Sequence, residues 1–422
     1  MARLFAPLRR VCTRAYSSGT LGSKPFVFQE GDRVIINSKN PVLTKPLKKD
    51  DQTTVANGTL KHDDIIGKQS RDAVRTTKGS LLRVTQPTLE DYIVLSPRHV
   101  TPVYPADANL IVSYLDIHAV PSASEEERDE PLEILEAGTG HGSLTLHLAR
   151  AINAANTRPP TRPRRSQCHI LERPETKKTG IKKEKRESEV PAEDAEIQRK
   201  WDAWCAQRNA VVHTVDVSPV YSKHAENIVR GFRRGIYVGN VDFYVSRVEH
   251  WVKEQAARRS AKDGTLDPFL SHVILDMPSA HLRIPHVTPV MRDDAVLLIF
   301  MPNVTQLAEC VDIIQRQNLP FFQEKIVELG TGISNGRLWD IRITTKRKRS
   351  NCLEEEEMAN EPPHEMSEDP TDGAVEETII PVAQRDKKGE QVLVCRPQAG
   401  RRIAGGGFVG VWRKKKKKRN LR

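Results

Sequence analysis

The stretch that most restricts how this chain can fold is residues 132–152, LEILEAGTGHGSLTLHLARAI. An apolar run closes on Glu136. Gly138, Gly140 and Gly142 then alternate with Thr139 and His141, and Ser143 opens a segment with Leu144, Leu148, Ala151 and Ile152 at helical spacing. Strand, glycine-rich turn and helix make the first unit of a doubly wound α/β sheet, whose ligand lies beyond the strand's carboxyl end. Glycine lets the backbone approach a ligand more closely than a Cβ would allow, and the helix N-terminus offers unpaired N–H groups. The spacing is E-x-G-x-G-x-G and not the G-x-G-x-x-G of dinucleotide folds. That favours S-adenosyl-L-methionine as the ligand, with a plain tight turn as the simpler alternative.

The neighbours decide between these readings. Residues 210–216 (AVVHTVD) form a strand ending in an acid. Were the segment 156–200 deleted, Asp216 would stand about where a ribose-binding carboxylate follows the first unit of such a sheet. A helix is expected over 219–234, a third strand over 238–248, and a fourth over 271–278 that carries Asp276 near its end. Residues 295–301 (AVLLIFM) read as a strand buried on both faces, followed by a helix over 305–317 and strands at 324–329, 338–344 and 405–412. Upstream, 98–117 reads as a loop and then a helix, with Pro105 in its first turn. Residues 26–95 are short, β-like and punctuated by Pro and Gly, which predicts a small β module over 25–97. The expected fold is therefore a Rossmann-like α/β domain over 98–422 preceded by that module.

Three segments fall outside any core. Residues 1–24 carry Arg3, Arg9, Arg10, Arg14 and Lys24 and no acid, with Leu4, Leu8 and Val11 on one helical face. This composition predicts a mitochondrial transit peptide, hence the matrix. Residues 156–200 combine Pro159, Pro160 and Pro163 with dense mixed charge and predict a disordered insertion. A second such insertion is expected over 346–388, where the acids run from Glu354 to Glu377. The tail 413–422 is basic and reads as a phosphate grip or, alternatively, as a nuclear-localisation signal. The formal charge of +11 points to a polyanionic partner. Six dispersed cysteines without a C-x-x-C pair suggest neither a zinc site nor a disulfide framework. No apolar run is long enough to span a bilayer, so no membrane partner is expected.

Several stretches, taken in order, are similar to the catalytic subunit of the tRNA (adenine-58-N1)-methyltransferases: GTLKHDDIIGK (58–68), QPTLEDYIVLSPRHVTPVYPADANLI (86–111), EAGTGHGSLT (136–145), HTVDVS (213–218), LDMPSAH (275–281) and RLWDIR (337–342). The resemblance covers most of the chain outside the leader, the insertions and the tail. It implies a class I S-adenosylmethionine-dependent methyltransferase fold and methyl transfer to N1 of an adenosine in tRNA. It assigns Glu136, Gly138, Thr139, Gly140, His141, Gly142, Ser143, Asp216 and Asp276 to the cofactor. Asp276 is also the implied catalytic residue, and Tyr104, Pro278 and His281 would line the substrate pocket. No metal is implied. A tetramer is, either of one chain or with a non-catalytic sister subunit. The chain departs from the pattern where the family has Pro and Trp after the catalytic acid and this sequence has Ala280 and His281. It departs again at Gly405, Gly406 and Gly407. Near the third strand, Glu249 is the nearest candidate for an adenine-contacting acid and Arg247 occupies the expected position.

The implied chemistry is modest in its demands. Adenine N1 has a lone pair and no proton at neutral pH, so transfer needs neither a strong base nor a metal, only alignment with the methyl. Such positioning is worth roughly 7–11 kcal/mol in well-oriented cases. A competing class is a non-catalytic RNA-binding paralogue that keeps the fold, and a third is a methyltransferase for proteins or small molecules.

Overall fold

The computed structural model describes residues 26–121, 130–171, 191–260, 266–330, 339–345, 391–397 and 406–416. The expected leader, the expected insertion at 346–388 and the tail beyond 416 lie outside them. The described chain falls into two units, with residues 332–404 forming the second. That unit contributes one antiparallel hairpin of β14 (Trp339–Thr345) and β15 (Gln391–Pro397).

In the first unit, the N-terminal module comprises β1 (Ile35–Asn37), β2 (Val42–Leu43), β3 (Gln52–Val55), β4 (Gly58–Lys61), β5 (Ala73–Arg75) and β6 (Leu81–Thr85). Four of these strands form an antiparallel sheet in the order β2-β1-β6-β5, and β3 and β4 form a hairpin. Alternating apolar residues bury Phe28, Val34, Ile36, Leu60 and Val84 in a core of the module's own. The module ends in α1 (Leu89–Leu95), capped by Thr88, whose hydroxyl oxygen accepts from Asp91 N at 3.1 Å. Then comes α2 (Pro105–Tyr114), with proline in the first turn as expected.

The main domain runs β7 (Leu132–Ala137), α3 (Ser143–Ala151), β8 (Cys168–Ile170), α4 (Ala192–Cys205), β9 (Ala210–Asp216), α5 (Pro219–Gly231), β10 (Val241–Val245) and α6 (Val248–Arg259). It continues through β11 (Leu270–Leu275), α7 (Ile284–Val287), β12 (Met291–Met301), α8 (Val304–Arg316), β13 (Phe321–Leu329) and β16 (Gly407–Lys414). Its eight strands lie in the order β13-β16-β12-β11-β7-β9-β10-β8. All neighbours from β12 to β8 are parallel, whereas β16 is antiparallel between β12 and β13. The sheet is covered on both faces, which explains its unbroken apolar strands. Ile134, Val212 and Leu298 enter one core, and Leu135, Val215 and Leu297 the other. From β7 the chain steps outward to β9 and β10, then returns to β11 on the other side. The switch point, where ligands of such sheets bind, lies at the carboxyl ends of β7 and β11. Among the described residues no helix is long and apolar enough to cross a membrane.

The sequence expectation for 156–200 needs correction at both ends. Residues 168–170 join the sheet as β8 beside β10, and α4 starts at Ala192; only 172–190 lie outside the described residues. Composition misled because one buried acid anchors the segment. Glu226 on α5 accepts from Gln167 N at 2.9 Å and from Ser166 Oγ, while Arg230 of the same helix holds the carbonyls of Pro163 and Arg164. The basic tail also starts later than expected. Arg413 and Lys414 belong to β16, and Lys414 Nζ donates to the carbonyls of Thr288 and Met291 at 2.8 and 2.6 Å. The expected third strand over 238–248 is a one-turn 3-10 segment, Val238–Asn240, and then the shorter β10.

Candidate active site

The turn after β7 has the conformation its glycines foretell. Gly138, Gly140 and Gly142 have φ of 98°, 50° and 82°, the left-handed region where a side chain is strained. A Cβ on Gly138 would stand 1.8 Å from the carbonyl oxygen of Asp276. The two segments are also joined by Asp276 N donating to Ala137 O at 2.8 Å. The glycine turn and the strand-end aspartate are therefore in direct contact at the switch point. Gly142 serves packing as well. A Cβ there would lie 2.9 Å from that of Ala225, so the glycine lets α3 and α5 come close together.

Three carboxyl groups converge here from three strand ends. Glu136 is buried at 1% exposure and accepts from Thr145 Oγ1 at 2.6 Å, which ties the end of β7 to the first turn of α3. Its burial, together with the charges of Asp276 and Asp216, pushes its carboxyl up to about 8. Asp276, at the end of β11, is pushed up to about 7 by burial and by the charge of Asp216. Asp216 accepts from Gly140 N at 3.0 Å and Ser218 N at 2.8 Å; burial still raises its carboxyl. A cluster of acids that cannot all ionise unaided suits a cationic ligand. A sulfonium with its ammonium group would supply such a charge.

The other expected residues hold varied positions. Thr139 Oγ1 bonds Thr214 Oγ1 at 2.7 Å, tying the turn to β9. Ser143 Oγ donates to Val103 O at 2.5 Å, so its hydroxyl holds the loop before α2 over the turn. His141 is buried at 2%, and its ring packs at 5.3 Å from His224, which in turn meets His99 at 4.5 Å. Burial and His224 pull His141 down to about 4, so it is neutral at neutral pH. Tyr104 stands at the N-cap of α2 and accepts from Arg98 at 3.3 Å. Pro278 is exposed. Ser279 takes a left-handed turn (φ 56°), Ala280 is fully buried, and His281 pairs with Glu309 at 3.2 Å.

The contacts of Glu249 were not legible in the sequence. It pairs with Arg283 at 3.1 Å and so ties the segment after Asp276 to the start of α6. Arg247 is the exposed residue before that helix. The histidine trio was missed too, because His99, His141 and His224 share no spacing that would announce a cluster.

No protein-family profile matches the chain. Over 292 residues it is 26% identical to the tRNA (adenine(58)-N(1))-methyltransferase TrmI of Thermus thermophilus, in each of two strains of that organism. The match spans 69% of this chain and 80% of each relative. The chain is thus similar to the tRNA (adenine-58-N1)-methyltransferases. The fold has a separate parallel in the S-adenosylmethionine-dependent O-methyltransferase of Thermotoga maritima, with a TM-score of 0.50 at 15% identity over 93% of this chain and 96% of that one. In this chain the glycine motif stands intact at the sheet's switch point. In the segment after its strand-end acid, Ala280 fills the core and His281 contacts Glu309 of α8 at 3.2 Å.

Proposed function

We propose that this chain transfers a methyl group from S-adenosyl-L-methionine to N1 of an adenosine in tRNA, at position 58 of the T-loop, in the mitochondrial matrix. The observation that carries the reading is the contact between Gly138 and Asp276, which sets a donor cradle against a carboxyl at the switch point. The TrmI relatives support the choice of tRNA and of N1. The arginine-rich, acid-free leader supports the organelle.

When bound, the cofactor supplies an electrophilic methyl on a positively charged sulfur. The residues of the chain then divide the work. Glu136 and Thr139 fix the turn through Thr145 and Thr214. Asp216 keeps acceptor capacity for the ribose hydroxyls beyond its two backbone bonds. Asp276 accepts from the exocyclic amine of the target adenine, which turns N1 toward the methyl and offsets the positive charge that moves onto the purine. The base must leave its stack to reach this depth, at a cost of a few kcal/mol. Tyr104, Pro278 and His281 would border its entry. A homo-tetramer, or an assembly with a sister subunit, would offer the broad surface a folded tRNA requires.

The test uses purified protein, methyl-labelled cofactor and a tRNA transcript, followed by nuclease digestion. Label in 1-methyladenosine mapped to position 58 is the expected result. Retention of tRNA without label would favour the non-catalytic paralogue, and label surviving ribonuclease would favour a protein substrate.

A further inference from the structure

We propose that the seam between the N-terminal β module and the end of α5 is a docking surface for the sugar–phosphate backbone of the RNA, gripped by Arg33 and Arg233. The inference rests on the tRNA reading above and adds the surface that holds the substrate away from the reacting base.

Three arginines enter this seam, and one is already committed. Arg234 donates through Nε and Nη2 to the two carboxylate oxygens of Asp32, both at 2.7 Å, and stacks 4.4 Å from the Phe26 ring centre. That pair fastens the module to the main domain, along with Tyr92 Oη donating to Ile228 O at 2.9 Å. Arg33 and Arg233 line the same notch with Phe26, Asp32, Gln86 and Pro87, yet neither pairs with a carboxylate among the described residues. Their hydrogen bonds are long ones to backbone carbonyls, Arg33 to Thr44 and Arg233 to Pro87, each 3.4 Å. The Nε of each is buried without an acceptor.

Two guanidinium groups without a carboxylate partner among the described residues are suited to bind a phosphate, which their planar geometry matches. The notch has about 10 Å³ of free space, so at most one oxygen of a phosphate could enter it while the rest of the group stays outside. Arg233 and Arg234 both adopt left-handed backbone (φ 44° and 60°), an uncommon conformation for arginine that turns successive side chains into the seam. Strained backbone at Arg233, which has no carboxylate partner among the described residues, is a reason to look for a ligand.

The seam also connects to the reacting centre. α5 spans 13 residues, on the order of 20 Å at 1.5 Å per residue. It begins beside Asp216 and ends one residue before the Phe232–Gly235 turn that carries Arg233. A groove of about 410 Å³ lies against the N-terminal part of this helix, lined by His99, Pro219, Val220, Lys223, His224 and Asn227. Glu226, the sole acid of that helix, is buried and faces Arg230 and Lys223. A backbone anchored at Arg33 and Arg233 would cross the last turn of α5 to reach this groove, and the anchor itself carries no reader of base identity.

The experiment titrates full-length protein against a fluorescent tRNA transcript over a range of salt concentrations, with R33Q/R233Q and R33K/R233K as variants. The glutamine pair is expected to bind roughly tenfold more weakly, with a salt slope shallower by about two released counterions. KM for tRNA should rise while kcat and cofactor affinity hold, and the lysine pair should keep most of the slope. Wild-type affinity and slope in the glutamine pair would overturn the proposal. So would equal losses in both pairs accompanied by a lower melting temperature, or competition by poly-glutamate as effective as that by RNA. Salt-steep binding that depends on these arginines, in a protein that does not methylate the transcript, would leave the surface standing and remove the catalytic reading. Methylation indifferent to both pairs would do the reverse.

Discussion

Glu136 and Asp276 hold protons near neutrality because burial and mutual repulsion disfavour three charges at one strand-end cluster. A cationic ligand reverses that preference, so binding should release protons. With the two groups near 8 and 7, cofactor affinity is expected to strengthen from pH 6 to 8 and level off above. Calorimetry in buffers of different ionisation enthalpy reads the released protons directly, and the demethylated product, with a neutral sulfur, should release fewer. Affinity that is flat over this range would contradict the electrostatic account. The same shifts act on folding. A carboxyl raised in the folded state binds a proton that the unfolded chain has already lost, so ligand-free stability should decline from about pH 4 to about pH 8. Replacing Glu136 by Gln should bring the denaturation midpoints at pH 5 and pH 8 closer together. An unchanged gap would mean that Glu136 is ionised in the fold.

Elements carried the legible part of this structure. The period-3.6 helix after a glycine turn and the acid-ended apolar strands predicted β7, α3, β9 and β11 because each is set by local pattern and burial. Asp276 was legible for the same reason, as an acid closing a buried strand. What local pattern could not carry was pairing at a distance: β8 exists because Glu226 lies 59 residues from Gln167 in sequence and beside it in space. The Glu249–Arg283 tie and the histidine trio are likewise products of packing. Gly138 gives the element-scale prediction. Its replacement by Ala forces a methyl into the Asp276 carbonyl at a positive φ and should cost about 1–3 kcal/mol of stability while abolishing cofactor binding. A thermal melt with and without cofactor checks both. Gly138→Ala with full affinity would show that the contact between β7 and β11 does not shape the cradle. Glu226→Gln should loosen 163–171, seen as faster hydrogen exchange there, while α3 keeps its protection.

At the scale of the whole molecule, a two-faced α/β sheet provides the cradle and a small β module is fastened beside it by Arg234–Asp32. The charge of +11 suits a polyanion, and under the proposed function the strand-end acids would meet the cationic cofactor. Nothing in periodicity alone said what the module holds; only its seam with α5 gives it a role. The most direct test of the central claim is single-turnover methylation of a tRNA transcript by Asp276→Asn, measured beside the affinity of the same variant for S-adenosylmethionine. Loss of an oriented electrostatic partner predicts a rate lower by about 10²–10³ with affinity changed far less. A variant that methylates at the wild-type rate would contradict the claim that Asp276 positions the adenine.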